Sequence, residues 1–257
     1  MQDKSKFLKI AIQAARIAGK ITTHYFNKGF LIEVKKDNSP VTIADKEAET
    51  AIREHIHKAF PSHGFLGEEQ GGNTTDLEYT WIIDPIDGTK NFTHKLPFWA
   101  TEIALMHKNK IIAGVSYAPL LNKLLYAERN KGAYLNDQPI HVSSVESVNQ
   151  SFVTFGSIRH FYKENRINSF LKLTNDAYYT RGFGDTWSHH LLAAGHTDAM
   201  LEGYVNLWDI AAVSIIVEEA GGKVTDLNGK PIGRQTNTLL STNGTLHSQI
   251  LKYFKFK

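Results

Sequence analysis

Residues 79–92 read YTWIIDPIDGTKNF. The run from Tyr79 to Ile86 is apolar, too short for a helix, rich in β-branched and aromatic residues and closed by Pro85. That pattern predicts a buried strand ending in a polar turn. Asp84 and Asp87 then fall just past the strand, where rigid Pro85 and flexible Gly88 set a tight turn and let both side chains converge on one point. Two carboxylates about 4 Å apart repel by roughly 4 kcal/mol at an effective dielectric of about 20, so the pair implies a shared proton or a cation. A hard divalent cation suits it, because Mg2+ prefers carboxylates, carbonyls and water, and the Ile86 carbonyl lies between the two acids. On this stretch alone, a ligand-free Asp-Pro-Ile-Asp-Gly turn held by its own side-chain hydrogen bonds explains the same residues equally well.

The elements on either side of this strand define the architecture. Residues 5–27 carry Phe7, Leu8, Ile10, Ala11, Ala14, Ala15, Ile17, Ala18 and Ile21, the recurrence of an amphipathic helix. KKDNSPV at 35–41 breaks that periodicity as a loop or short hairpin. Thr42 followed by Asp45 has the form of a capping box, and Ala48, Ala51, Ile52, Ile56 and Phe60 give a second helix that stops at Pro61 and packs on the first. Downstream, TEIALMH, KIIAGVSYA, KLLYAER and GAYLND within 100–140 read as an antiparallel meander. Helical patterns recur at Trp187–Ala194 and Ile210–Ala220, and Asn228–Gly229 signals a hairpin. The order suits an α+β or layered αβ architecture: one unit over 1–257, with an α+β half to about 140 and an α/β half from about 141.

Composition removes several function classes. The chain has 257 residues and no Cys, so any metal must be held by oxygen or imidazole. Its 29 Lys and Arg against 26 Asp and Glu give net +3, too small a bias to argue for nucleic acid. No apolar run is long enough for a membrane span, and the N-terminus lacks a signal-peptide stretch, so a cytoplasmic location is expected. There is no P-loop, no G-x-S-x-G and no H-E-x-x-H, and the Gly-Phe-Gly at 182–184 lacks the third glycine of a dinucleotide site. The histidine groups His55, His57, His63 and His189, His190 lack second ligands at metal spacing and read as surface or core histidines.

Further acids strengthen the cation reading of Asp84 and Asp87. Glu68 and Glu69 follow Gly67 at the end of what would be a brief strand, Asp209 opens a helix after Trp208, and Asp45 stands in the capping box. Each has an ordinary role of its own, as turn, cap or first-turn charge. Together they resemble an oxygen-only metal cluster.

At this point Gly67-Glu68-Glu69, the block from Trp81 to Thr89, Trp208-Asp209-Ile210-Ala211-Ala212 and Glu218-Glu219-Ala220-Gly221-Gly222 resemble the signature blocks of the inositol monophosphatase family, in order and with similar spacing over nearly the whole chain. The resemblance implies an αβαβα sandwich, a homodimer and Mg2+-dependent, lithium-sensitive hydrolysis of phosphate monoesters. It implies that Glu68, Asp84 and the Ile86 carbonyl bind a first metal that activates water. Asp84, Asp87 and Asp209 would bind a second, with a weaker third ion near Glu68. Thr89, paired with Glu68 and Asp45, would orient the water. The Gly88 and Thr89 N–H groups would hold the phosphate beside Asp87, and a loop over 28–40 with Lys36 would close over the metals.

The substrate end would include Gly184, Asp185 and Glu202. Arg181-Gly182-Phe183-Gly184-Asp185, His190 to Gly195 and Phe98 to Leu105 are more similar to the histidinol-phosphatase branch, where Asp185 would offer a carboxylate to a cationic amine or imidazolium. As a plain structural residue Asp185 would cap a helix opened by Thr186. Glu202 matches instead the position at which inositol monophosphatases bind a substrate hydroxyl. The 3′-phosphoadenosine 5′-phosphate and fructose 1,6-bisphosphate branches are further alternatives, with no added basic cluster for a second phosphate. A binding protein on RNA or the transcription machinery, with the lysine-bearing tail Lys252–Lys257 as its contact, is the alternative of a different class.

Overall fold

The computed structural model of the chain describes residues 4–34, 40–72 and 77–254; Lys36, Lys255 and Lys257 lie outside them. Helix α1 (Lys6–Lys28) starts where the Ser5 hydroxyl accepts the Leu8 N–H at 3.2 Å, and it buries Leu8, Ala11, Ala14, Ala15 and Ala18. Strands β1 (Ile32–Val34) and β2 (Pro40–Thr42) pair antiparallel, and the loop or short hairpin expected from the turn-rich stretch falls on residues 35–39, outside the described residues. Helix α2 (Ile43–Ala59) carries the expected capping box: the Thr42 N–H and hydroxyl both donate to Asp45 Oδ2, at 2.7 and 2.6 Å.

Strand β3 (Gly64–Gly67) precedes β4 (Tyr79–Asp87), which runs into the short helix α3 (Thr89–Thr93). The meander follows as β5 (Ala100–His107), β6 (Lys110–Ala118), β7 (Lys123–Glu128), β8 (Ala133–Leu135) and β9 (Gln138–Ile140). These seven strands form one sheet in sequential order, parallel between β3 and β4 and antiparallel thereafter. The second half contributes β10 (Phe152–Phe155), α4 (Ile158–Lys163), α5 (Ile167–Asp176), β11 (Tyr179–Arg181), α6 (Asp185–Ala193) and β12 (Ala199–Glu202). It ends with α7 (Leu207–Glu219), β13 (Lys223–Thr225), β14 (Leu239–Thr242) and α8 (His247–Phe254). Its sheet has the order β11-β10-β12-β14-β13.

Strand alternation assigns the layers. Trp81, Ile83, Ile103 and Leu105 face α1 and α2, and share a core with Ala15, Ala48 and Ile52. On the opposite face, Ile82, Ala104 and Met106 meet Ile210, Ala211 and Ile215 of α7 and, beyond them, Met200 and Val224 of the second sheet. That sheet's outer face packs Val153, Leu201 and Leu240 against Phe161, Phe170 and Ile250 of α4, α5 and α8. The result is the αβαβα order implied by the resemblance. Helix α7 is apolar on all sides because sheets cover it on both.

Two local expectations change. Asn228–Gly229 does make a tight turn, with the Gly229 N–H on Asp226 O at 3.0 Å, but no hairpin forms there: β13 pairs with β14. A turn signal fixes only the local reversal, whereas Leu239 and Leu240 fill the cores on the two faces of the sheet and so decide the partner strand. Asp209 does not open α7. Asn206 is the N-cap, and Asp209 accepts its N–H from the third helical position at 2.7 Å.

Candidate active site

Asp84 and Asp87 lie within β4, not past it. Residues three apart on a regular strand point to opposite faces. Here Asp84 pairs with Glu102 and Asp87 with Ala100, so three steps on β4 match two on β5. The bulge at Pro85 and Ile86 absorbs the odd residue and turns both acids to the face covered by α7. Pro85 donates nothing to the ladder, and its carbonyl is taken by the Thr101 hydroxyl at 2.9 Å.

Asp209, at the start of α7, completes the group: one oxygen from each of Asp84, Asp87 and Asp209 lies within 4.8 Å of the other two. Each carboxylate is aimed by a backbone N–H, that of Ile86 on Asp84 at 2.9 Å, of Thr186 on Asp87 at 2.7 Å and of Asn206 on Asp209. Burial, and then the neighbouring carboxylates, push Asp84 and Asp87 well above the usual range and Asp209 up to about 7. Glu68 follows β3 with its N–H on Ile83 O at 3.1 Å, and its charge acts on Asp84, Asp209 and Asp45. Asp45 is fully buried. Its Oδ2 serves the capping box while Oδ1 has no partner, and burial raises it to about 6.

The Thr89 hydroxyl departs from expectation. It donates to the Ile86 carbonyl, three residues back, at 3.0 Å, and not to the unpartnered Asp45 Oδ1. Gly88 precedes α3 in the left-handed region, at φ 90°, and the first N–H groups of α3 open beside Asp87.

The second half supplies the other wall. Gly184, not Asp185, is the cap of α6; Asp185 is the first helical residue and sits at φ 45°, a conformation that costs a non-glycine residue about 1 kcal/mol. Its Oδ2 accepts from Asn91 Nδ2 at 3.1 Å, and burial raises it against the opposing charge of Lys90. Glu202 ends β12, is buried and is pushed well up by burial, then by Asp185 and Asp209; it accepts the Asp185 N–H. Its carboxylate lies on Gly156, where an added Cβ would stand 1.9 Å from Oε2. Asp45, Glu68, Asp84, Asp87, Asp185, Glu202 and Asp209 therefore reach one region, whereas Glu218 and Glu219 lie apart, on Arg129 and on the N–H groups of Asn130 to Gly132.

Two further acids were not recognised as part of the site. Glu49 is fully buried and holds the turn bearing Glu68: it accepts from Arg53 Nε and the Glu69 N–H at 2.8 Å and from the Gln70 N–H at 3.2 Å. It presses on Gly67, where a Cβ would lie 2.1 Å from Oε1. Glu102, 1% exposed, is pushed up to about 8 by burial. The signal for each was an acid on a face otherwise apolar. The histidines stay outside the cluster. His63 takes the Trp81 indole N–H at 3.0 Å, and His189 and His190 are buried and lowered to about 3.

This donor set fits a hard divalent cation. It is all oxygen, with Asp84 and Asp87 buried and Asp209 half-buried, its like charges approach closely, and these three are the only such group among the described residues. No helix of the described residues is long and apolar enough to cross a membrane.

Comparisons with known proteins agree with this geometry. The family model described as "Inositol monophosphatase family" matches residues 3–257. The chain is 37% identical to the histidinol-phosphatase of Mycobacterium tuberculosis over 95% of this chain and 96% of that one. It is 32% identical to the inositol-1-monophosphatase of Mesorhizobium japonicum, over 98% and 97%. Among solved structures, the extragenic suppressor protein suhB of Bartonella henselae superposes with a TM-score of 0.91 at 31% identity, covering 98% of this chain and 99% of that one. The IMPase of Thermotoga maritima gives 0.88 at 32% identity, covering 97% of each chain. The chain thus belongs to the inositol monophosphatase family of metal-dependent phosphatases and is a phosphoric monoester hydrolase.

Proposed function

We propose that this chain hydrolyses histidinol phosphate with Mg2+, as a cytoplasmic homodimer in which the halves 1–140 and 141–257 work as one unit. The observation that carries the substrate is the placement of Asp185, with Glu202 behind it, beside the metal acids. A phosphate on the cluster would leave the rest of the ester facing a carboxylate, which suits an amine or imidazolium. Glu202, an acceptor for a hydroxyl, favours inositol 1-phosphate as the second reading. The core shared by Ile82, Ile215 and Met200 supports a single unit.

Glu68, Asp84, Asp87, Asp209 and the Ile86 carbonyl would hold two or three Mg2+ ions. When bound, such ions neutralise phosphate charge and make a bound water more acidic. The chain's own groups do the rest. The Gly88 and Thr89 N–H groups orient the phosphate, and Asp45 Oδ1 and Glu68 align the attacking water, with Thr89 joining them once its hydroxyl leaves Ile86 O. No protein nucleophile is needed, because phosphoryl transfer rests on positioning and charge stabilisation.

The test is phosphate release at fixed Mg2+ from histidinol phosphate, inositol 1-phosphate, 3′-phosphoadenosine 5′-phosphate and fructose 1,6-bisphosphate. Histidinol phosphate is expected to give the highest kcat/KM. Asp185→Asn should raise its KM selectively, by about tenfold for the loss of one charge-assisted contact. An equal loss across all four esters would overturn the role of Asp185.

A further inference from the structure

Behind the metal acids lies a buried polar row. Across β4, β5 and β6, Asp84 pairs with Glu102 and Glu102 with Ser116, so their side chains stand side by side on the face toward α6 and α7. Thr186 and His190 of α6 close over them. The exposures of Glu102, Ser116, Thr186 and His190 are 1%, 0%, 1% and 4%. The Ser116 and Thr186 hydroxyls both donate to Glu102 Oε1 at 2.5 Å, and Ser116 Oγ also meets His190 Nε2. Ser116 Oγ also lies 3.1 Å from Thr186 Oγ1, so the two hydroxyls, the Glu102 carboxyl and the His190 ring form one connected hydrogen-bonded group.

Such a group is costly in a core unless it holds something in place. What it holds is Thr186, whose hydroxyl goes to Glu102 and whose N–H goes to Asp87. Asp185, the preceding residue, keeps its left-handed backbone only while its neighbours are pinned.

We propose that Glu102, through Thr186, is a positioning residue that locks the substrate-end acid Asp185 and the metal-end acid Asp87 into one rigid unit. Ser116 and His190 aim the Glu102 carboxylate, and Thr186 transmits its position to both acids. The inference rests on the reading of this site as a metal-dependent phosphatase.

The test uses Thr186→Val, which removes the hydroxyl but keeps the size and the N–H, with Thr186→Ser as the rescue and Glu102→Leu and Glu102→Gln as a second pair. Calorimetric titration of the metal-free protein with Mg2+ is read beside KM and kcat for histidinol phosphate at saturating Mg2+. Thr186→Val and Glu102→Leu should each weaken Mg2+ binding about tenfold. Each should also raise KM while kcat changes by less than about twofold. Thr186→Ser and Glu102→Gln, which keep the bond, should restore both. If Thr186→Val lowers only the melting temperature, or Thr186→Ser restores nothing, the proposal is wrong; Thr186→Val decides the matter should Glu102→Leu fail to fold. A wild-type protein inactive on every ester would sink the substrate reading, yet the calorimetric comparison would still decide this one.

Discussion

Replacing Asp87 by Asn should make the metal-free protein more stable and the Mg2+-loaded protein less so. One oxygen each of Asp84, Asp87 and Asp209 falls within 4.8 Å of the others. At that separation two ionised carboxylates repel by at least about 3.5 kcal/mol at an effective dielectric of about 20. Partial protonation of the set, through Asp84 and Asp87 held well above the usual carboxylate range, relieves much of this. A net gain of about 2 kcal/mol is left for the variant near pH 8. The amide oxygen of Asn can still accept the Thr186 N–H that now bonds Asp87 Oδ2 at 2.7 Å, so no buried donor is orphaned. For a chain of this size about 2 kcal/mol corresponds to roughly 4 °C in Tm. Saturating Mg2+ at about 100 times its Kd adds about 2.7 kcal/mol to a binding-competent protein, and the Asp87→Asn variant, with an amide where the metal needs a carboxylate, should forfeit most of it. Thermal melts of both proteins with EDTA and with Mg2+ are therefore expected to cross in rank, with phosphate release lost in the variant. A variant that melts below wild type in EDTA, or gains as much from Mg2+, would refute the claim that repulsion among these acids is held for the metal.

Two other outcomes follow from buried groups. Glu49→Ala removes two bonds from the turn bearing Glu68 and the ion pair with Arg53, which should cost about 3 kcal/mol and weaken Mg2+ binding, while Glu49→Gln should lose less of both; melts with and without Mg2+ check it. His247 is buried between the hydroxyls of Thr225 and Thr242, each at 3.0 Å, and burial, with help from Lys223, lowers it from 6.5 to about 4. The unfolded chain takes up this proton near pH 6.5 and the folded one only near 4, so its share of stability is whole above 6.5 and falls by up to about 3 kcal/mol as pH drops through that window. Urea unfolding of wild type and His247→Gln at pH 7.5 and 4.5 should show the smaller loss in the variant; parallel losses would exclude His247 as a source.

What the sequence determined by itself was set by contacts between near neighbours. The alanine-rich stripe of α1, the Thr42–Asp45 box and the meander of β5 to β9 are patterns of period 3.6 or 2, or of three-residue reach, and they fold as they read. Asp84 and Asp87 could be brought to one point from the turn between them, and Asp209 grouped with them by chemistry, whereas Asp185 and Glu202 joined the site only through resemblance to a family, since nothing in their spacing measures the distance to the other acids. Tertiary structure decided the rest. The bulge that brings Asp84 and Asp87 to one face is a matter of register against β5. The partner of β13 is chosen by cores on both sides of its sheet. The place of Glu102 in the site exists only because α6, from the other half of the chain, lays Thr186 across it. Local propensity fixes what a few residues do together; long-range packing alone determines which buried acid meets which helix terminus.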